Sequence, residues 1–231
     1  MNIYMLMEGE TEPKLYPAWL SFIAPNMKQI NNISNINQDN FYVISGKGYP
    51  RLLTDTLKAA ITDICQSTKF DELWVMLDTD DCTVEDREQE VLDKVASILA
   101  DNPTLKLGSC QVHVIAQKVC IETWGLANER IFPHHNITSD LKPFYDHYDV
   151  SSLDPELMGQ PSSFESSIGE YHHRYLKTML RARSEKLKYS KTSPSPLNIK
   201  AYFDEIVIKV NKDGHVNSFK KFYDLASRLV K

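Results

Sequence analysis

Short apolar runs alternate with longer segments of helical periodicity up to about residue 130. The runs at 2–7, 41–44, 73–77 and 112–115 predict four β-strands. Apolar residues at helical spacing predict helices beginning near Thr11, Leu52 and Thr83, and a short helix over 120–128. Because parallel strands need crossover connections, this alternation predicts an α/β fold, a mostly parallel sheet with helices on both faces.

The pattern changes after residue 133, where prolines interrupt the chain. Ser162-x-x-Glu165 resembles a capping box and predicts a helix that runs to about Lys188. Residues 211–214 predict a turn, and 216–230 predict a closing amphipathic helix. We therefore predict an α/β catalytic domain over residues 1–132 and a smaller, basic, mainly helical region over 133–231 that packs on it.

The composition, with 42% hydrophobic and 25% charged residues among 231, is typical of a globular protein and excludes disordered and fibrous classes. The apolar runs fall far short of the roughly 20 residues needed to span a bilayer, and the N-terminus lacks a signal-peptide pattern. The four cysteines show no C-x-x-C spacing, so neither a zinc site nor a disulfide framework is indicated. We expect a cytoplasmic protein with reduced cysteines and no membrane association.

Acidic residues follow three of the predicted strands. Glu8 follows the first, Asp78 and Asp80 follow the third, and Glu122 lies a few residues beyond the fourth, while Glu12 comes four residues after Glu8. Ligands of open parallel sheets bind outside the carboxyl ends of the strands, and hard cations such as Mg²⁺ and Mn²⁺ prefer carboxylate oxygens. The five acids therefore predict a Mg²⁺ or Mn²⁺ site, although Glu12 has the simpler alternative role of favouring a helix N-terminus.

The Glu8-Gly9-x-Thr11-Glu12 and Asp78-x-Asp80 motifs resemble those of the TOPRIM domain, particularly in OLD-type and RloB-like nucleases. The segment Lys118-x-x-x-Glu122-x-Trp124-x-Leu126 is similar to a third signature of RloB-like proteins. The resemblance covers about residues 1–130. This sequence departs from the family pattern in two respects. Asp81 and Cys82 follow the second motif, where many members carry glycine, and no ATPase domain precedes the first motif as it does in OLD proteins.

The resemblance implies a metal-dependent nuclease fold and a role in phage defence with a separate partner ATPase. It implies that Glu8 is the general acid/base or a metal ligand, that Asp78 and Asp80 are metal ligands, and that Glu12 and Glu122 are candidates for a second metal. Lys118 is the nearest cation for the charge that develops on phosphate, with a solvated surface lysine as the alternative. Gly46-Lys47-Gly48 follows a strand and predicts a phosphate contact, but it lacks the spacing of a P-loop.

Charge is distributed unevenly along the chain. Residues 1–150 hold 12 Lys and Arg against 22 Asp and Glu, whereas residues 151–231 hold 14 against 9. In the segment 174–200, one predicted helix face carries four cations suited to a phosphate backbone, Arg174, Lys177, Arg181 and Lys188. Tyrosines at 171, 175 and 189 predict base stacking; the alternative is a solvated helix face with the aromatic rings packed underneath.

These observations lead to a hypothesis and two alternatives. The hypothesis is a Mg²⁺- or Mn²⁺-dependent nuclease acting on DNA or RNA, with catalytic residues Glu8, Asp78, Asp80 and Lys118. The first alternative is a non-catalytic subunit that binds nucleic acid or the partner ATPase, and the second is an enzyme acting on a small phosphorylated substrate. The sequence leaves open whether the protein forms a homo-oligomer.

Overall fold

The computed structural model describes residues 1–230, which form an α/β fold with a five-stranded, all-parallel sheet in the order β2-β3-β1-β4-β5. The strands are β1 (Ile3–Met7), β2 (Lys28–Ile30), β3 (Asn40–Ser45), β4 (Glu72–Asp78) and β5 (Gln111–Gln117). The helices are α1 (Glu12–Ile23), α2 (Leu57–Ser67), α3 (Val84–Asp101), α4 (Ile121–Leu126), α5 (Lys142–His147), α6 (Ile168–Arg183), α7 (Lys200–Asp213) and α8 (Asn217–Ser227). The predicted fold class is confirmed.

The chain divides into two compact units. The first unit comprises residues 1–77, 83–116 and 224–231 and contains nearly the whole sheet; the second comprises residues 78–82 and 117–223. No helix among residues 1–230 is long and apolar enough to cross a membrane.

The centre of the sheet is buried on both faces. Strand β1 lies between β3 and β4 in parallel register, with Met7 opposite Ser45 on one side and Met76 on the other. All five residues of β1 are fully buried. Alternate side chains such as Tyr4 and Leu6 pack in one apolar cluster with residues of α2 and α3. Continuous apolar runs therefore produce central strands here, as expected for a parallel sheet covered on both faces.

Two local predictions for the later part of the chain are wrong. Helix α6 begins at Ile168, where the Ser167 hydroxyl accepts a hydrogen bond from the Glu170 amide, and it ends at Arg183. The second of two Ser-x-x-Glu patterns therefore caps the helix, and Lys188 lies beyond its end. Residues 211–213 are helical because α7 continues to its left-handed C-cap residue, Gly214, at φ 69°.

Candidate functional site

The loop after β3 fixes the conformation of Glu8, the residue that follows β1. The Gly48 amide donates to the Glu8 carbonyl at 2.8 Å, and the Tyr49 amide donates to Glu8 Oε1 at 3.3 Å. The Lys47 amide donates to Ser45 Oγ at 3.3 Å, while its side chain is exposed. The Gly48 and Tyr49 amides therefore position Glu8, and the predicted phosphate contact of this loop stays a prediction.

Glu12 is buried at the first position of α1, with 3% of its surface exposed. A Cβ atom at Gly9 would lie 2.7 Å from Glu12 Oε2, which is closer than real Cβ contacts allow. A side chain at position 9 would therefore require the Glu12 carboxylate to move. Both residues belong to the first unit.

In the second unit, the loops that follow β4 and β5 are joined by three hydrogen bonds. The Thr79 amide donates to the Gln117 carbonyl at 3.0 Å, and the Asp80 amide donates to the Val119 carbonyl at 3.1 Å. The Val119 amide in turn donates to Thr79 Oγ1 at 2.9 Å, and Thr79 is fully buried. The segments that carry Asp78, Asp80 and Lys118 therefore form one connected element.

Two residues of this element have left-handed backbone conformations. Asp80 has φ 51° and Val119 has φ 66°. Aspartate tolerates this region, but a β-branched residue there is a genuine outlier that costs about 1–2 kcal/mol. Such strain concentrates at functional sites, where surrounding contacts hold it in place.

The buried Cys120 thiol lies close to two of the predicted metal ligands. Burial raises the pKa of Cys120, and the negative charges of Glu122 and Asp78 raise it further. A Cβ atom at Gly169, in the first turn of α6, would lie 3.9 Å from Asp80 Oδ1 and 3.9 Å from Cys120 Cβ. The Asp80 carboxylate and the Cys120 side chain therefore both lie beside the first turn of α6.

Glu122 is held by residues distant in the chain. Its carboxylate is 1% exposed, accepts a hydrogen bond from the Tyr189 hydroxyl at 2.9 Å, and lies 3.7 Å from His173 Nδ1. Burial lowers the pKa of His173, while the charge of Glu122 opposes that shift. The sequence predicted base stacking for Tyr189 and did not indicate its contact with Glu122, because 67 positions separate the two residues.

Lys118 follows β5 directly and is half-buried. Its amide donates to Ser218 Oγ at 3.1 Å, and the Ser218 amide and hydroxyl both donate to Glu156 Oε1. Burial raises the pKa of Glu156, and the Ser218 hydrogen bonds and the positive charge of Lys118 partly oppose this effect. The sequence did not indicate this acidic neighbour of Lys118.

The predicted metal ligands are carboxylates, which are chemically suited to Mg²⁺ or Mn²⁺. Within residues 1–230, no group of three or more histidine, cysteine, aspartate or glutamate side chains is arranged to hold a metal ion. The metal assignment therefore stays a prediction based on the motifs and on the chemistry of the side chains.

The predicted cations of α6 are exposed, but the tyrosines among them are not. Arg174 pairs with Glu170 at 2.8 Å and stacks over the Phe164 ring at 5.2 Å. Tyr171 is 3% exposed and Tyr175 is fully buried. Tyr189 is also buried, so the three rings pack beneath the surface and do not offer faces for base stacking.

Lys188 lies close to Lys177 and Arg181 of α6, with which it was predicted to share a helix face. Lys177, Arg181 and Lys188 line a cavity of about 310 Å³ together with Tyr189. Arg181 also lies 3.8 Å from Glu185, an exposed residue on the same cavity. A turn after α6 therefore brings the three cations to one concave surface.

Comparison of the chain with protein-family profiles, with curated proteins and with solved structures found no match.

Proposed function

We propose that the protein is a Mg²⁺- or Mn²⁺-dependent nuclease that hydrolyses phosphodiester bonds of DNA or RNA. One observation carries the proposal: the second unit combines the connected Asp78–Asp80 and Lys118–Glu122 segments with a cavity lined by three cations. Phosphodiester hydrolysis needs both, because carboxylates hold the cation and basic residues hold the phosphates.

In this proposal Asp78 and Asp80 are metal ligands and Glu122 is a candidate for a second metal. A bound cation of this kind supplies an activated water and stabilises charge on the phosphate. Tyr189 and His173 orient Glu122, and Lys118 supplies positive charge beside the D-x-D loop. Glu8 is the general acid/base or a metal ligand, and Glu12 is a candidate for a second metal, as the motif implies. A phage-defence role with a partner ATPase rests on the resemblance alone.

The test is cleavage of labelled single- and double-stranded DNA and of total tRNA in Mg²⁺, Mn²⁺ or EDTA. The wild type is compared with the Asp78→Asn, Asp80→Asn double variant. Asp81→Asn is the control, because it removes one carboxylate charge from an exposed neighbouring residue. Metal-dependent cleavage that the double variant loses and the control retains is expected; cleavage that persists in the double variant refutes the proposal.

A second candidate is a non-catalytic subunit that binds nucleic acid or a partner ATPase. The cationic cavity favours it, because phosphate binding by Lys177, Arg181 and Lys188 requires no metal. Binding that is steeply salt-dependent in EDTA, with no cleavage in any metal, would support this candidate over the nuclease.

A further inference from the structure

A second cavity of about 550 Å³ lies in the second unit, on the other side of the turn that follows α6. Its volume falls within the range of about 300–1,000 Å³ that is typical of small-molecule sites. The turn contributes Arg183 and Lys186 to this cavity and Lys188 to the smaller one, and Leu187 lines both. One short segment therefore forms a common wall of two adjacent pockets.

The larger cavity has a mainly apolar lining. Its walls include Ile131, Leu187, Pro196, Ile199 and the ring of Tyr202. The Tyr202 hydroxyl points away to the Gly125 carbonyl, to which it donates at 2.6 Å, so the ring is fixed. Ile199 is 51% exposed. A flat aromatic group entering this cavity would cover apolar surface that water now contacts.

The rim of the larger cavity is cationic. Arg130, Arg183 and Lys186 line it, and Glu205 is the single acidic residue among its lining side chains. Arg130 is 79% exposed and lies 3.1 Å from Glu205, which leaves the rim with a net positive charge. An apolar cavity with a cationic rim is complementary to a ligand that joins an aromatic ring to an anion.

We infer that this cavity is a nucleotide subsite, in which the base enters the apolar cavity and Arg183 and Lys186 bind the adjoining phosphate. The cationic cavity across Leu187 would bind the next phosphate of the same strand, so the expected ligand is single-stranded nucleic acid, whose bases are exposed. The assignment of a strand, and not of a free nucleotide, rests on the proposed function. Neither the sequence motifs nor the predicted basic helix face included Arg130, Arg183 or Lys186.

The test measures binding of a fluorescein-labelled oligouridine in EDTA, with the Asp78→Asn, Asp80→Asn protein as the background. Arg183→Ala combined with Lys186→Ala should weaken binding roughly tenfold and reduce the salt slope by about 0.7, the value for one phosphate of a single strand. Lys212→Ala is the control, because it removes one exposed cation at the C-terminal end of α7, away from the cavity. It should leave both quantities unchanged.

The apolar cavity is tested separately by Ile199→Ser. Ile199 is the N-cap residue of α7 and makes no side-chain capping hydrogen bond, so serine there favours the helix while it removes an apolar wall. The variant should weaken binding several-fold without changing the salt slope. Uridine monophosphate distinguishes the ligands: if it binds as tightly as the oligonucleotide, the subsite serves a free nucleotide; if only the oligonucleotide binds, it serves a strand.

The inference is overturned if the double variant and Ile199→Ser both bind the oligonucleotide as the background protein does. Equal affinity for a duplex, with the same dependence on Ile199, would also overturn it, because duplex bases are stacked and inaccessible. These results are independent of catalysis. Absence of cleavage in every metal refutes the nuclease but not the subsite, whereas cleavage combined with unaffected binding in the variants refutes the subsite alone.

Discussion

His172 in α6 is a buried histidine whose two ring nitrogens are both hydrogen-bonded, and its charge state should control stability in acid. The side chain is fully buried. Nε2 lies 3.0 Å from the Met158 carbonyl and must donate to it, so Nδ1, at 2.8 Å from Thr123 Oγ1, accepts. A second proton on Nδ1 would break this arrangement, because Thr123 could no longer donate to the ring.

The size of the effect follows from the pKa of His172. Burial lowers this pKa from 6.5 to about 4, although the hydrogen bond to Met158 partly opposes the shift. In the unfolded chain the imidazole binds a proton near pH 6.5, and in the folded protein only near pH 4. The unfolded state therefore binds more protons between these values. The stabilising effect of the neutral imidazole is fully present above pH 6.5 and is lost as the pH falls toward 4, by about 2 kcal/mol between pH 7 and 4.5.

Urea unfolding from pH 4.5 to 7.5, followed by the fluorescence of the three buried tryptophans, measures this effect. Carboxylates also titrate in this range, so the informative quantity is the difference between the wild type and His172→Gln. The variant should be less stable at pH 7, where it loses the native hydrogen bonds, and this disadvantage should shrink by about 2 kcal/mol at pH 4.5. His135→Gln, at an exposed position, is the control. A pH-independent difference between the wild type and His172→Gln would refute the reasoning.

Three further predictions concern stability. Burial raises the pKa of Glu156, so its ionisation should cost stability as the pH rises above about 4.5; Glu156→Gln keeps an acceptor oxygen and should remove this slope in urea unfolding. Gly46→Ala places a Cβ atom 2.8 Å from Leu52 Cβ and should destabilise by about 1–3 kcal/mol in the same assay, and an unchanged midpoint would contradict it. Tyr202→Phe leaves the Gly125 carbonyl without its buried donor and should cost about 1–3 kcal/mol at every pH tested.

The elements that the sequence predicted well are those with the strongest apolar patterns. Strands β1, β3, β4 and β5 each contain an apolar run, and the Thr83 hydroxyl caps α3 by accepting from the Asp86 amide. Strand β2 was missed because Lys28 and Gln29 are exposed and its three residues show no apolar alternation. The start of α6 was misplaced because two Ser-x-x-Glu patterns lie five residues apart, and only the second directly precedes the helix with the buried apolar face.

Much of the candidate site could not be predicted, because its contacts join distant parts of the chain. The hydroxyl of Tyr189 reaches Glu122 across 67 positions, and Trp124 Nε1 donates to Ser218 Oγ across 94. Local spacing carries no information about such pairs. The prediction placed Lys188 beside Arg181 on the assumption that one helix runs through both residues. The helix ends at Arg183, and the turn that follows places Lys188 beside Arg181 on a shared cavity.

The backbone of the D-x-D loop determines which substitutions can test it. The left-handed residue is Asp80 itself, at φ 51°, and neither Asp81 nor Cys82 has a positive φ that would favour glycine. Alanine at position 80 would remove the carboxylate and also place a poorly tolerated residue in this conformation, whereas asparagine removes only the charge. If Asp80→Ala is less stable than Asp80→Asn although both are inactive, the backbone and the carboxylate contribute separately. If the two variants are equally stable, the left-handed conformation does not constrain the choice of residue.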